Sequence, residues 1–164
     1  MAVQAVSGIE IVSVAEGWRL SCEQRVRQPL PEVFPFYANA RNLERLTPSF
    51  LRFRIRRISS EPLATGTLID YSLRLHHLPI RWRSRIETWD PPRRFVDRQV
   101  HGPFRTWRHT HDFRSDGGGT VITDVVLFDV HCRRLLPARV RGWLLSDLQA
   151  IFEHRRRAVE RLFG

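Results

Sequence analysis

Between Ile80 and Thr88 the chain alternates with period two: Ile80, Trp82, Ser84 and Ile86 share one face, and Arg81, Arg83, Arg85 and Glu87 share the other. Successive residues of a strand point to opposite faces, and four charges are costly to bury, so the apolar set marks the inner face of a strand. The same reading predicts strands over Arg52–Ser59 with Phe53 and Ile55 inward, and over Thr67–His76 with Ile69, Tyr71, Leu73 and Leu75 inward. It also predicts Phe104–Phe113 with Trp107, His109, His111 and Phe113 inward. In Arg94–His101 the inward set is Phe95, Asp97, Gln99 and His101, against a competing pull from Val96 and Val100. Further strands span Trp18–Val26 and Thr120–Val130, and Ile9–Val14 reads as a short extra strand. The breaks are Pro62 to Gly66, His77-Leu78-Pro79, Asp90-Pro91-Pro92, Gly102-Pro103 and Asp116 to Gly119. They are short and turn-rich, which implies antiparallel hairpins.

The period changes in two places. After Pro29, Val33, Phe34, Phe36 and Tyr37 cluster as on a short buried helix. Pro31 suits its first turn, and Pro35 removes a backbone hydrogen bond and keeps it short. Asn39 or Asn42 is placed to cap a second short helix that ends before Pro48. Cys132–Gly142 reads as a basic loop. From Leu144 to Phe163, Leu144, Leu148, Ile151, Phe152, Val159 and Leu162 form the stripe of an amphipathic helix, with Arg155, Arg156, Arg157 and Arg161 mostly off it.

This order predicts an α+β domain of about seven antiparallel strands and one long helix. Such a sheet is roughly 30 Å wide at about 4.8 Å per strand, whereas a helix covers only about 10 Å. The sheet must therefore curl round the helix, leaving a cavity that the two short helices close at one end. The expected ligand-binding residues are Phe53, Tyr71, Leu73, Trp82, Ile86, Phe95, Asp97, Gln99, Trp107, His109, His111 and Phe113. Greasy walls with a few placed polar groups are the makings of a small-molecule site.

Composition refines this picture. The length of 164 residues fits one domain over 17–164, preceded by an N-terminal extension over 1–16. Five Trp and ten Phe supply the apolar walls. No apolar run is long enough to span a membrane. The start has no basic, apolar leader, and Cys22 and Cys132 form no metal or redox motif, so a cytoplasmic location is expected. A net charge of +10 invites a nucleic-acid reading, but every basic residue is Arg, and no basic motif is localised. The expectation is weak, salt-sensitive attraction with no specific nucleic-acid partner, and a monomer or weak dimer.

His109 and His111 share a strand face and can meet one ligand. With Asp97 or Asp124 nearby, a zinc site is conceivable. No third ligand stands at motif spacing, however, so neither a metal nor another cofactor is expected, and a buried hydrogen-bond network is the favoured role. Asp97 and Gln99 beside these histidines also admit an acid/base cluster. Asp116-Gly117-Gly118-Gly119-Thr120 lacks the Lys of a phosphate loop and reads as a hairpin turn.

Over about residues 18–162 the chain resembles the START/Bet v1-like (SRPBCC) superfamily, in the bacterial ligand-binding, polyketide cyclase-like branch. The matching stretches are Pro31-Glu32-Val33-Phe34, Asn42-Leu43, Leu46-Thr47-Pro48, Pro79-Ile80-Arg81-Trp82 and Trp89-Asp90-Pro91-Pro92. They continue through Phe95 to Gln99, Gly102-Pro103-Phe104, Trp107 to His111, Gly119-Thr120 with Asp124, and Ile151-Phe152 with Arg155. The resemblance implies a helix-grip fold and binding of a hydrophobic or aromatic, lipid-like or polyketide-like molecule. The alternative it admits is an aromatase/cyclase-type enzyme or a resistance protein in polyketide or enediyne secondary metabolism.

Overall fold

The computed structural model describes residues 8–164. Its strands are β1 (Ile9–Val14), β2 (Gly17–Val26), β3 (Arg54–Ile58), β4 (Leu68–Leu75), β5 (Leu78–Asp90), β6 (Arg94–His101), β7 (Thr106–Asp116) and β8 (Gly119–Asp129). Its helices are α1 (Leu30–Ala38), α2 (Leu43–Leu46) and α3 (Ala138–Phe163). All eight strands join one antiparallel sheet in the order β1-β2-β8-β7-β6-β5-β4-β3. The count exceeds the expected seven because β1 pairs with β2 along its whole length, from Ile9 opposite Cys22 to Val14 opposite Gly17. Among the described residues no helix is long and apolar enough to cross a membrane.

The sheet curls as the width argument requires. Register shifts between Ile55 and Arg57 on β3, and between Arg83 and Ser84 and between Ile86 and Thr88 on β5, mark where these strands bend. On β5 the alternation is observed residue by residue: Trp82, Ser84 and Ile86 are buried, and Arg81, Arg83, Arg85 and Glu87 are exposed.

Several element boundaries differ from the pattern-based ones, three of them with consequences for the site. The β4–β5 turn is His76-His77, not His77-Leu78-Pro79. Both histidines have positive φ, as in the tight turn that matches strand twist, so Leu78 and Pro79 are freed to pair with Leu75 and Arg74. The strand expected from Phe104 begins at Thr106. The long helix starts at Ala138 rather than Leu144, and Arg133–Leu135 forms a single 3-10 turn, so the stretch Cys132–Gly142 is only partly loop. Pro137 stands at the helix start, and residues 138–143 are exposed, so no apolar stripe announced the first turns.

The core divides along α3. At one end Val33, Phe34 and Tyr37 of α1 pack with Val26, Phe113, Ile122, Ala158 and Val159. At the other, Leu148 and Phe152 of α3 meet Trp18, Leu20, Trp82, Trp107, Val126 and Phe128. Between the second cluster and the outer strands the interior is hollow.

Candidate functional site

A cavity of about 320 Å³ lies between α3, the α1–α2 segment and the concave face of the sheet. Of the sequence-predicted residues, Phe53, Tyr71, Leu73, Trp82, Ile86, Phe95, Asp97, Trp107, His109 and His111 line it. Leu46, Leu51, Leu63, Leu144, Leu148 and Phe152 complete the apolar wall. Aromatic rings dominate one side: Tyr71 stacks on Trp82 at 5.7 Å between centroids, and Trp82 meets Trp107 edge-on at 5.4 Å.

Two predicted residues lie elsewhere. Phe113 points inward but is covered by α1, with its ring 5.3 Å from Phe34 and 4.9 Å from Tyr37. Gln99 belongs to no acid/base cluster. The β6–β7 pairing ends at Arg98 opposite Arg108, and Gln99 bridges the widening gap. Its Nε2 donates to Phe104 O at 2.7 Å, and its Oε1 accepts from Phe104 N at 3.3 Å. A side chain at Gly102 would meet that amide and displace it from Phe104. His101, assigned to the same inner face, is exposed beyond this point.

The polar part of the wall is a buried charged cluster built by strand register. Asp97 of β6 stands opposite His109 of β7, and His111 of β7 stands opposite Asp124 of β8. The side chains then bond diagonally. His109 Nε2 donates to Asp124 Oδ1 at 2.8 Å, while His111 Nε2 lies 3.1 Å from Asp97 Oδ2. His111 Nδ1 is 3.0 Å from the same Asp124 oxygen, and Arg155 Nη2 approaches it at 3.7 Å from α3. Ser84 Oγ donates to Asp97 Oδ1 at 3.3 Å and accepts from Trp82 Nε1 at 3.1 Å. The rings of His109 and His111 are 3.7 Å apart, and Phe95 stacks on His111 at 4.0 Å.

Burial and pairing compete at each group. Desolvation works against ionisation of Asp124, but the Arg155 charge and the two histidines outweigh it and hold its carboxyl well below the usual range. Asp97 is likewise lowered, because its hydrogen bond from His111 and the imidazole charges outweigh burial. Burial, with the charge of His111 beside it, depresses His109 to about 4, so this imidazole is neutral near pH 7. Burial also works against charge on His111, yet two carboxylates bonded to its two nitrogens overcome it and raise its pKa. The cluster thus sets two carboxylates against the Arg155 guanidinium and an imidazole whose charged form is favoured, the kind of mutual pairing buried charges need.

Two polar atoms near the cluster stand apart from it. Tyr37 Oη, on α1, and Arg155 Nε are buried and lack a hydrogen-bond partner among the described residues. The guanidinium lies over the Tyr37 ring, 5.6 Å from its centroid. Burial pushes the Tyr37 hydroxyl pKa up despite that cation, so it remains a neutral donor.

No family model and no curated protein matches the sequence. Solved structures do. The chain is similar to the ginseng major latex-like protein 151 from Panax ginseng, at 10% identity and a TM-score of 0.65 over 88% of this chain and 96% of that one. It is similar to Ara h 8.0201 at 16% identity and a TM-score of 0.57, over 86% and 96% of the two chains. The protein Ms6760 from Mycobacterium smegmatis, at 16% identity, gives a TM-score of 0.64 over 93% and 97%. This is the Bet v1-like fold. At such identities the likeness extends to architecture alone.

Within the Bet v1-like frame two site residues escaped the pattern reading in different ways. Arg155 was placed off the apolar stripe of α3, yet it is 9% exposed and reaches the cavity. Its sequence signals are its spacing, four and three residues from Ile151 and Phe152, and its place with them in the family resemblance. Asp124 was visible as a neighbour of the histidines, but its place at the hub follows from the β7–β8 register.

Proposed function

We propose that the protein binds a compact apolar or aromatic small molecule in this cavity, with a polar end turned toward Tyr37, Arg155 and the cluster. The observation that carries the reading is the combination of apolar walls with one polar corner. A volume of about 320 Å³ sits at the lower end of small-molecule pockets, roughly 300–1,000 Å³. The unpartnered Tyr37 hydroxyl supports the polar end, since buried hydroxyls ordinarily find a hydrogen bond. A polyketide-like ring system suits both features.

A second reading, an aromatase/cyclase-type acid/base catalyst, draws on one observation. His109 lines the cavity, and its Nδ1 makes no hydrogen bond among the described residues, leaving a neutral imidazole with a free acceptor.

Titration with an environment-sensitive apolar dye tests the binding reading. The expected result is a saturable signal displaced by aromatic ligands, and its loss in Trp82→Arg, which puts a charge on the cavity wall. A signal that rises linearly without saturation, or that persists unchanged in the variant, refutes it. His109→Ala separates the two readings: a binder keeps dye affinity within about tenfold, the scale of one hydrogen bond, and a catalyst also loses turnover of its substrate by roughly 100-fold or more.

A further inference from the structure

We infer that Asp97, His109 and His111 form a binding site for a divalent transition-metal ion, zinc in the first instance, on the wall of the cavity. One donor atom from each of the three residues lies within 4.8 Å of the other two. Which atoms are available is decided by Asp124. It takes His109 Nε2 at 2.8 Å and His111 Nδ1 at 3.0 Å. The nitrogens left over, His109 Nδ1 and His111 Nε2, both stand near Asp97 Oδ2, at 3.9 and 3.1 Å. A tetrahedral zinc with bonds of about 2.0–2.1 Å separates its ligand atoms by roughly 3.4 Å. The two separations straddle that value.

The surroundings match what a metal site requires beyond its ligands. A ligating histidine ordinarily donates its other ring N–H to a carboxylate, which fixes tautomer and orientation. Asp124 accepts from His109 Nε2, and it lies 3.0 Å from His111 Nδ1, which Arg155 Nη2 also approaches at 3.4 Å. The second oxygen of Asp97 is held by Ser84, itself held by Trp82. Three protein ligands leave a fourth position, and all three line the cavity, so that position opens to whatever the cavity holds. Two imidazoles and one carboxylate suit zinc, iron, cobalt or nickel better than magnesium or calcium. Charge points to the fourth ligand. Asp97, Asp124 and Arg155 sum to −1, so a divalent ion with neutral imidazoles leaves +1. An anionic oxygen from an enol, phenol or carboxylate, or a hydroxide, restores neutrality. The strand spacing showed two ligands, and the third comes from the register of β6.

The site does not depend on what fills the cavity, so its test uses no organic ligand. The untagged full chain is stripped with a chelator and titrated with Zn2+ against a chromogenic competitor, then with Co2+ as a spectroscopic probe. The expected result is one equivalent per chain and visible Co2+ bands of a four- or five-coordinate site. Asp97→Asn, close in shape, weakens Zn2+ affinity at least 100-fold, and Asp124→Asn weakens it 10- to 100-fold. His76→Ala, at the exposed β4–β5 turn, leaves it unchanged. Should the cluster variants fail to fold, the wild-type Co2+ complex decides the matter, through paramagnetically shifted imidazole signals from His109 and His111. Absence of a one-equivalent phase, affinity unchanged in folded Asp97→Asn, or shifted signals from other histidines overturns the proposal.

Discussion

The two ends of α3 rest on interiors of opposite character. Toward its C-terminus, Ala158 and Val159 sit in a filled core where α1 covers the sheet and aromatic rings interlock. Toward the middle, Ile151, Phe152 and Leu148 roof a void. The same helix and the same sheet thus give packing where α1 presses between them and a cavity where the α1–α2 segment only closes the side. Stability and binding are divided along one molecule. The filled end holds the fold, and the hollow end holds space at the cost of lost contacts.

Removing the helix from Ser146 onward tests both ends at once. Leu148, Phe152 and Val159 would be lost from the interior, worth roughly 6 kcal/mol or more together, comparable with the whole stability of a domain. The expected outcome is loss of the cooperative melt by circular dichroism. A melt near the full-length value would break the helix-grip account.

Single truncations sharpen the contrast. Phe113→Ala at the filled end should cost about 3–5 kcal/mol, since the surrounding rings cannot collapse into the space. Leu73→Ala at the hollow end should cost only about 1 kcal/mol, because that half-buried side chain already borders a void. Urea titrations give both values, and equal costs would mean that the interior is uniform.

The smallest expected effect concerns the cysteines. Cys22 is buried, and desolvation, with Asp124 nearby, pushes its thiol up to about 11. A raised pKa keeps the thiol protonated, so at pH 8 its thiolate fraction is about one in a thousand, and it should resist alkylation. Cys132 is exposed and should react. Mass spectrometry should show one adduct per native chain and two after unfolding. Two rapid adducts on the native chain would show that the β2 side of the interior is open to reagent.

What the chain disclosed in advance depended on whether partners were local. The inward face of β5 was legible because alternating arginines left no choice of side. His109 and His111 were legible because two residues on one strand share a face. Gln99 was misassigned because period two presumes that pairing continues, and β6 leaves β7 after Arg98. Phe113 was read correctly as inward, yet inward does not distinguish a cavity wall from a packed core until α1 is placed above it. Arg155 entered through the family resemblance alone, because hydrophobic periodicity discards charges and its partner on β8 is distant in sequence. Register across three strands, rather than any local motif, assembles the cluster.

Arg155 has one more consequence. A greasy stripe on a greasy sheet sets the phase of a helix only loosely, since a shift of one turn, about 5.4 Å, presents similar side chains to the same surface. A guanidinium 3.7 Å from a buried carboxylate has no such freedom. Slid by one turn, it would leave Asp124 with the two imidazoles alone and without the fixed positive charge beside it. Arg155 therefore acts as a registration pin, fixing the axial position of α3 and with it the ceiling height of the cavity.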